Sequence, residues 1–429
     1  MRYLVLGASL RGLADTARMA SREGAEVWLF DQEKALDIDD LPDNVTVLPR
    51  TWSTDYLEGV DRIVTSPWFA ETKPPLADAL AAGIDVITEA GFGLERLTVD
   101  YLAVTGTNGK TTVTEAATAM LVASGVDALA GGNVGTPVSQ LTDDDADLVV
   151  LELSSYQLRF MDRLAPVAAA LLNIAPDHLD WHGSFDRYVE AKAHLFASMA
   201  SDAVLAYNAD DPVVVDVVER ATCIVVPCSG VRVPDGGNGV DSGDVLIGEH
   251  RFTTPLSDPS FLFDLVAAAT IALAAGAGPE GVAQVLTTFS PGEHRRQIVS
   301  VTDGVTWIDD SKATNPHATV AAAAAYDDVI LLAGGRNKDL DLASLVDLPS
   351  VRTLIVFGEA ANEIAAVASG DVVMTSTMED AVAKAREVAV EGDTVLLSPG
   401  CASFDEFSSY AERGEVFTRL VRSSEEIAG

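Results

Sequence analysis

The chain has only seven lysines in 429 residues, and four of them, Lys110, Lys192, Lys312 and Lys338, fall in short stretches suited to phosphate or carboxylate chemistry. The densest is VTGTNGKTTV at 104–113, where an apolar strand pattern runs into a glycine-rich loop and then a helix pattern, as in a P-loop. Gly106 and Gly109, with Thr107 and Asn108 between them, let backbone N–H groups close on phosphate. Lys110 can neutralise the β- and γ-phosphates, and Thr111, followed by Thr112, can set a hydroxyl on Mg2+. The loop is shorter than the common GxxxxGK[ST], which leaves a chance glycine turn as the competing account. ATP or GTP is the expected ligand.

Further chemistry follows the next strands. ELSSYQL at 152–158 ends the apolar run DLVVLEL, and a carboxylate there, Glu152, can reach a metal at the carboxyl end of a parallel sheet. In isolation it is more often a strand-end glutamate in water. NIAPDHLDWH at 173–182 places Asp177 beside His178, which can ligate or orient a metal, or equally serve as a hydrogen-bonded cap. Alone, Lys192 in YVEAK reads as a solvated helix lysine, and Arg295, Asp310 and Lys312 as surface ion-pair residues. Ser403 in SFDEF could cap a helix and Tyr410 could belong to a core.

The elements that must position these groups alternate. RYLVLG, a GASLRG turn, the helical LADTARMASREG and AEVWLF ending at Asp31 make a βαβ unit. A second strand–loop–helix begins at Tyr101 and leads to AAALLNI, AVLAYN and CIVVP, and a third α/β set starts near Pro291 with VTWIDD, DVILLAGG, TLIVFG and DTVLLSPG. Residues 228–260 read as an irregular or β-rich excursion. This length exceeds one core. Three α/β domains are expected: a Rossmann-like one over 1–97, a P-loop ATPase-type parallel sheet over 98–290, and a Rossmann-like one over 291–429.

Composition narrows the partners. A net charge of −37 argues against nucleic acid, whose phosphates need clustered Lys and Arg. No long uncharged apolar stretch suits a membrane, and three cysteines without ligand spacing suit reduced, structural thiols. A cytoplasmic monomer is expected.

Taken in order, TGTNGKTT, GGNVG, ELSSYQL, NIAPDHLDWH, YVEAK, HRRQ, DDSKATN, GGRNKD and LSPGCASFDEF resemble the Mur ligase family across roughly 100–420, with a weaker likeness before that. Within the family, the last third is most similar to the branch that adds D-glutamate. The resemblance implies an ATP- and Mg2+-dependent ligase that joins D-glutamate to UDP-muramoyl-L-alanine through an acyl-phosphate, in cell-wall precursor synthesis. It implies that Lys110 and Thr111 hold phosphates and Mg2+, that Glu152 and His178 bind metal, and that Lys192 is a carbamylated metal ligand. Arg295, Asp310 and Lys312 look like the residues that close over ATP, and Thr314, Lys338, Ser403 and Tyr410 like those that hold D-glutamate. Ser9, Leu10, Arg11, Gly12, Asp31, Asn133, Ser154 and Gln157 look like the contacts of the UDP-linked acceptor.

Three features depart from the family pattern: Ser9 in GASLRG, Trp68 in SPWFA, and Phe261 with Asp264 in FLFDLVAAAT, where the pattern carries asparagines. The first two fall in turns that would line the uridine and pyrophosphate site, where the acid ending the second strand, Asp31, keeps a dinucleotide site open as a rival, and the last puts the adenine contacts in question. Sister ligases with another acceptor or amino acid, folylpolyglutamate-type ligases and a non-catalytic nucleotide-binding protein are the alternatives.

Overall fold

Short runs of Val, Leu, Ile and Ala without charges are too brief for helices and too apolar for one-sided strands, and they form parallel strands covered on both faces. The computed structural model describes residues 1–7, 12–32, 41–67, 69–142, 145–161 and 163–423. The expectations at Ser9, Leu10, Arg11 and Trp68 lie outside the described residues.

The chain divides into two units. The first holds Met1–Ile174, Trp181–Ser257 and Phe261–Phe289, and the second Ala175–Asp180, Asp258–Ser260 and Ser290–Gly429. In the first unit, a five-stranded parallel sheet has the order Val45–Val47, Glu26–Phe30, Arg2–Leu6, Arg62–Thr65, Asp85–Thr88. A six-stranded parallel sheet runs Ile224–Cys228, Val204–Asn208, Ala168–Leu171, Asp100–Thr105, Leu148–Glu152, Ala128–Gly132. The strand order changes direction beside the central strand in each sheet, the place where open α/β folds bind ligands. The stretch 228–260 carries a small antiparallel sheet of three strands, Gly239–Asp241, Asp244–Ile247 and His250–Phe252.

Alternation along the strands sorts side chains to the two faces. Leu102 and Val104 face one cluster with Val113, Met120 and Leu121 of the helix Lys110–Ala123, whereas Ala103 faces the other. The helix Pro259–Ala274 is apolar nearly all round, and its residues Leu262–Ala272 are buried against the first cluster. Leu121 is fully buried, so Leu121→Ala costs about 2–5 kcal/mol through lost transfer energy and the cavity left behind. Packing of this helix against the sheet is what holds the phosphate loop at its tip.

The second unit has a six-stranded sheet in the order Gln297–Thr302, Val305–Asp309, Thr394–Gly400, Val329–Gly334, Val351–Phe357, Val372–Met374. Only Gln297–Thr302 is antiparallel, joined to Val305–Asp309 as a hairpin with Asp303 at φ 52° and Gly304 at φ 73° in the turn. The mixed α/β class and the parallel sheets match the sequence expectation. Among the described residues, no helix is long and apolar enough to cross a membrane.

Candidate active site

The strand Asp100–Thr105 delivers its chain into the loop 106–109, and Lys110 opens the helix behind it. Two glycines are required there by space. A Cβ on Gly106 would lie 2.9 Å from Leu172 Cβ, and Gly109, at φ +84°, would bring one to 2.5 Å from Asp264 Oδ1. The loop is braced from the neighbouring strand end: Asn173 O accepts from Thr107 N (2.8 Å), Asn173 Oδ1 from Asn108 N (2.8 Å), and Asn173 Nδ2 donates to Asn108 O (3.1 Å). Backbone N–H groups at a helix N-terminus with no side-chain cap favour an anion.

Two lysines converge on this loop. Lys110 Nζ donates to Gly106 O (3.0 Å) and Thr107 O (2.9 Å), and Lys192 Nζ donates to the same Gly106 O (2.8 Å). Lys192 is 1% exposed, so the reading of it as a solvated helix lysine does not hold. Its ammonium also lies 4.7 Å from the Tyr188 ring centroid, and Tyr188 shares a 2.9 Å hydrogen bond with Thr107 Oγ1. With both side chains unmodified, two ammonium groups on one carbonyl make a positive cradle, which suits a polyphosphate.

Glu152, at the end of Leu148–Glu152 beside the loop-bearing strand, is 3% exposed. Asn133 Nδ2 donates to its Oε1 (2.9 Å), and Oε2 has no hydrogen-bond partner. The Thr112 hydroxyl is likewise buried without one. A buried carboxylate oxygen left free is costly unless a cation takes it. Among the described residues, no three His, Cys, Asp or Glu side chains gather as a metal cage. A single carboxylate with hydroxyls fits Mg2+, which keeps waters and takes phosphate oxygens as ligands, better than a metal enclosed by protein.

Other expected contacts are placed less directly. Ser154 and Gln157 satisfy each other in a capping box on the helix Ser155–Leu158, with Ser154 Oγ donating to Gln157 Oε1 (2.9 Å). Asn133 is exposed apart from its bond to Glu152, Asp31 is buried just after Glu26–Phe30, and Gly12, at φ +83°, precedes the helix Leu13–Arg22. Beside Gly12 stands Glu89, whose carboxyl burial raises above the usual range while Ser139 N donates to it at 2.7 Å.

The second unit gathers the remaining set. His178, at φ 53°, follows Asp177, and Lys338 Nζ donates to Asp177 Oδ1 (2.8 Å). Burial alone would raise the Asp177 carboxyl, but the charges of His178 and Lys338 outweigh it and hold it low. Asp310 is buried, and burial pushes its pKa up to about 6 although Arg296 and Ser398 Oγ (2.8 Å) favour the charged form. Lys312 Nζ lies 5.1 Å from the Tyr410 ring centroid, Arg295 and Thr314 are half-buried, and Ser403 is buried in a turn. Sequence reasoning missed Asn173, His182, Tyr188, His294, Asp309 and Arg413. The first five lie in motifs already quoted or one turn from Lys192, but their roles as braces depend on contacts across strands. His182, fully buried, bonds Ser155 Oγ (3.0 Å) and stacks on Tyr156.

The chain matches the Mur ligase middle domain over residues 104–229 and the Mur ligase glutamate ligase domain over 294–401. It is 39% identical to the UDP-N-acetylmuramoylalanine–D-glutamate ligase of Frankia casuarinae, covering 98% of this chain and 94% of that one. It is 37% identical to the protein of the same name from Syntrophotalea carbinolica, over 98% and 97%. The MurF ligase of Thermotoga maritima, solved in complex with ADP, shares the fold at a TM-score of 0.61 and 18% identity, over 99% of this chain and 95% of that one. The chain belongs to the Mur ligase family.

Proposed function

We propose that this protein is the ATP-dependent ligase that joins D-glutamate to UDP-N-acetylmuramoyl-L-alanine, working in the cytoplasm as a monomer on a precursor of the peptidoglycan wall. Full-length likeness to ligases of that name supports the substrate pair. The observation that carries the chemistry is the phosphate loop with Lys110 and Lys192 on Gly106 O. We assign residues 1–97 to the UDP-linked acceptor, 98–290 to ATP and 291–429 to the amino acid.

The acceptor carboxylate attacks the γ-phosphorus of ATP, the bond to the β-phosphate oxygen breaks, and an acyl-phosphate and ADP result. Lys110 and the loop N–H groups offset the charge on the transferred oxygens. The amine of D-glutamate then attacks the acyl carbon, loses a proton, and inorganic phosphate departs. Glu152, Thr111 and His178 are the proposed Mg2+ contacts, with Lys192 joining them if carbamylated. Bound Mg2+ supplies charge neutralisation between the phosphates and the attacking carboxylate. Arg295, Asp310 and Lys312 serve ATP. Thr314, Lys338, Ser403 and Tyr410 serve the amino acid, whose two carboxylates need a cation and hydroxyl donors in place of water.

The test is phosphate release with ATP, Mg2+ and UDP-N-acetylmuramoyl-L-alanine, comparing D-glutamate, L-glutamate and no amino acid. Release that depends on D-glutamate is expected. Release with a different amino acid alone keeps the ligase chemistry and refutes the substrate, and no release with any refutes the activity.

A further inference from the structure

A buried cation in the second unit has no part in the roles above. Arg413, in the first turn of the helix Tyr410–Ser423, is 1% exposed. Its Nε donates to Ser311 Oγ (2.9 Å), Nη2 to Ser311 O (2.8 Å) and Nη1 to Cys401 O (3.1 Å). All three acceptors are neutral, and it forms no ion pair with a described residue; Asp405, Asp309 and Glu406 act on it only from further away. Burial pushes its pKa down to about 10, which leaves it a cation at neutral pH. A desolvated charge without a contacting counter-charge is costly, so its retention calls for a use.

The segments it joins suggest that use. Every polar atom of Ser311 is engaged: its N donates to Asp309 Oδ1 (2.9 Å), its hydroxyl donates to Tyr410 O (2.8 Å), and its hydroxyl and carbonyl oxygens accept from Arg413. Asp309 in turn is held by His294 Nδ1 at 2.7 Å. Ser311 leads directly to Lys312 and Thr314, Cys401 leads to Ser403, and Tyr410 opens the helix that carries Arg413. The chain bearing Lys338 is tied to the same place, because Arg336 and Ala402 exchange backbone bonds of 2.8 and 3.0 Å. A Cβ on Gly335 would stand 3.1 Å from Arg413 Nη1.

We infer that Arg413 is a positioning residue for the incoming amino acid: its guanidinium fork locks the loops that carry Thr314, Ser403 and Tyr410 in the geometry that receives two carboxylates. The inference rests on the proposed assignment of those residues to the amino-acid site. A rigid fork with several donors can register two loops at once, which a lysine ammonium does less well. Misplaced donors lose charge-assisted hydrogen bonds to the carboxylates of the amino acid, a loss of about ten- to a hundredfold in its binding.

The experiment is steady-state kinetics of the full chain and its Arg413→Gln, Arg413→Lys and Ser311→Ala variants, with ATP, acceptor and amino acid varied in turn and melting curves recorded for each. Arg413→Gln is expected to raise KM for the amino acid about ten- to a hundredfold with KM for ATP within about twofold, Arg413→Lys to fall between it and wild type, and Ser311→Ala to raise the same KM several-fold with the positive charge intact. A fall in kcat with an unchanged amino-acid KM, or equal rises in both KM values, overturns the inference. So does a Ser311→Ala variant with normal kinetics, which would make charge and not loop geometry the cause. Should Arg413→Gln fail to fold, the other two variants decide. Wild-type protein inactive with D-glutamate refutes the proposed function instead, whatever the variants do.

Discussion

Glu152→Gln should make the protein no less stable and much less able to respond to nucleotide. The substitution keeps the shape and an acceptor for Asn133 Nδ2, and removes a charge from a side chain that is 3% exposed and has one oxygen without a partner. An unsatisfied buried polar group costs about 1–3 kcal/mol. The amide recovers only part of this, since its NH2 also lacks an acceptor there, so a gain of about 1 kcal/mol is expected, or about 1–2 °C in Tm. Ligand linkage runs the other way. A non-hydrolysable ATP analogue with Mg2+ at about a hundred times its Kd stabilises wild type by about 2.7 kcal/mol, and a hundredfold loss of affinity leaves about 0.4 kcal/mol. Thermal melts of both proteins, each with EDTA and with Mg2+ and analogue, measure both quantities. A variant that melts lower in EDTA and keeps the full Mg2+-dependent rise would refute the idea that the free oxygen is held for a cation.

The remaining predictions address charge in different settings. Lys110→Met should lower kcat about a hundredfold or more with an unchanged melting temperature in the absence of nucleotide, because its bonds to Gly106 O and Thr107 O brace the loop only weakly, measured by phosphate release and melting. Asp310 has its pKa raised above the unfolded value of 3.8 to about 6, so its contribution to stability is fully present below about pH 4 and lost as pH rises through about 6. Denaturant unfolding from pH 4 to 7 should therefore show a decline that Asp310→Asn flattens. With a net charge of −37, self-repulsion weakens the folded state, and raising salt from about 0.05 to 1 M, which shortens the screening length to about 3 Å, should raise Tm.

Much of this architecture was legible because its signals are local. The strand Asp100–Thr105, the two glycines and the helix from Lys110 follow from apolar run, turn and helix pattern within a dozen residues. The short edge strands Val45–Val47 and Val372–Met374 were not read, since three residues carry no periodicity. The antiparallel strand Gln297–Thr302 was missed for another reason: it exposes Ile298 and Val301 on one face, so its pattern is mixed. In the site, Lys192 shows the limit of composition. Its helix, Phe185–Ala193, presents charged residues on its outer face, and nothing in YVEAK says that this lysine faces inward; only the packing of that helix against the phosphate loop does. Arg413 was invisible for the same reason, because ERG in an amphipathic helix reads as surface charge.

Asp264 illustrates how a departure from a family pattern can be absorbed by its neighbours. A carboxylate in the middle of an apolar helix is ordinarily destabilising, and here it is buried. Its place is beside Gly109, the residue that precedes the helix Lys110–Ala123, so its carboxyl oxygens meet the positive end of a helix dipole. That contact also explains why position 109 admits no side chain: the left-handed backbone and the nearby carboxylate both demand glycine. Two lysines on Gly106 O supply compensating positive charge on the same loop. The phosphate loop thus carries an acid beneath it and two lysine side chains on it, and with Lys192 carbamylated, as proposed for the metal site, Lys110 is the cation of this pair that favours a polyanion.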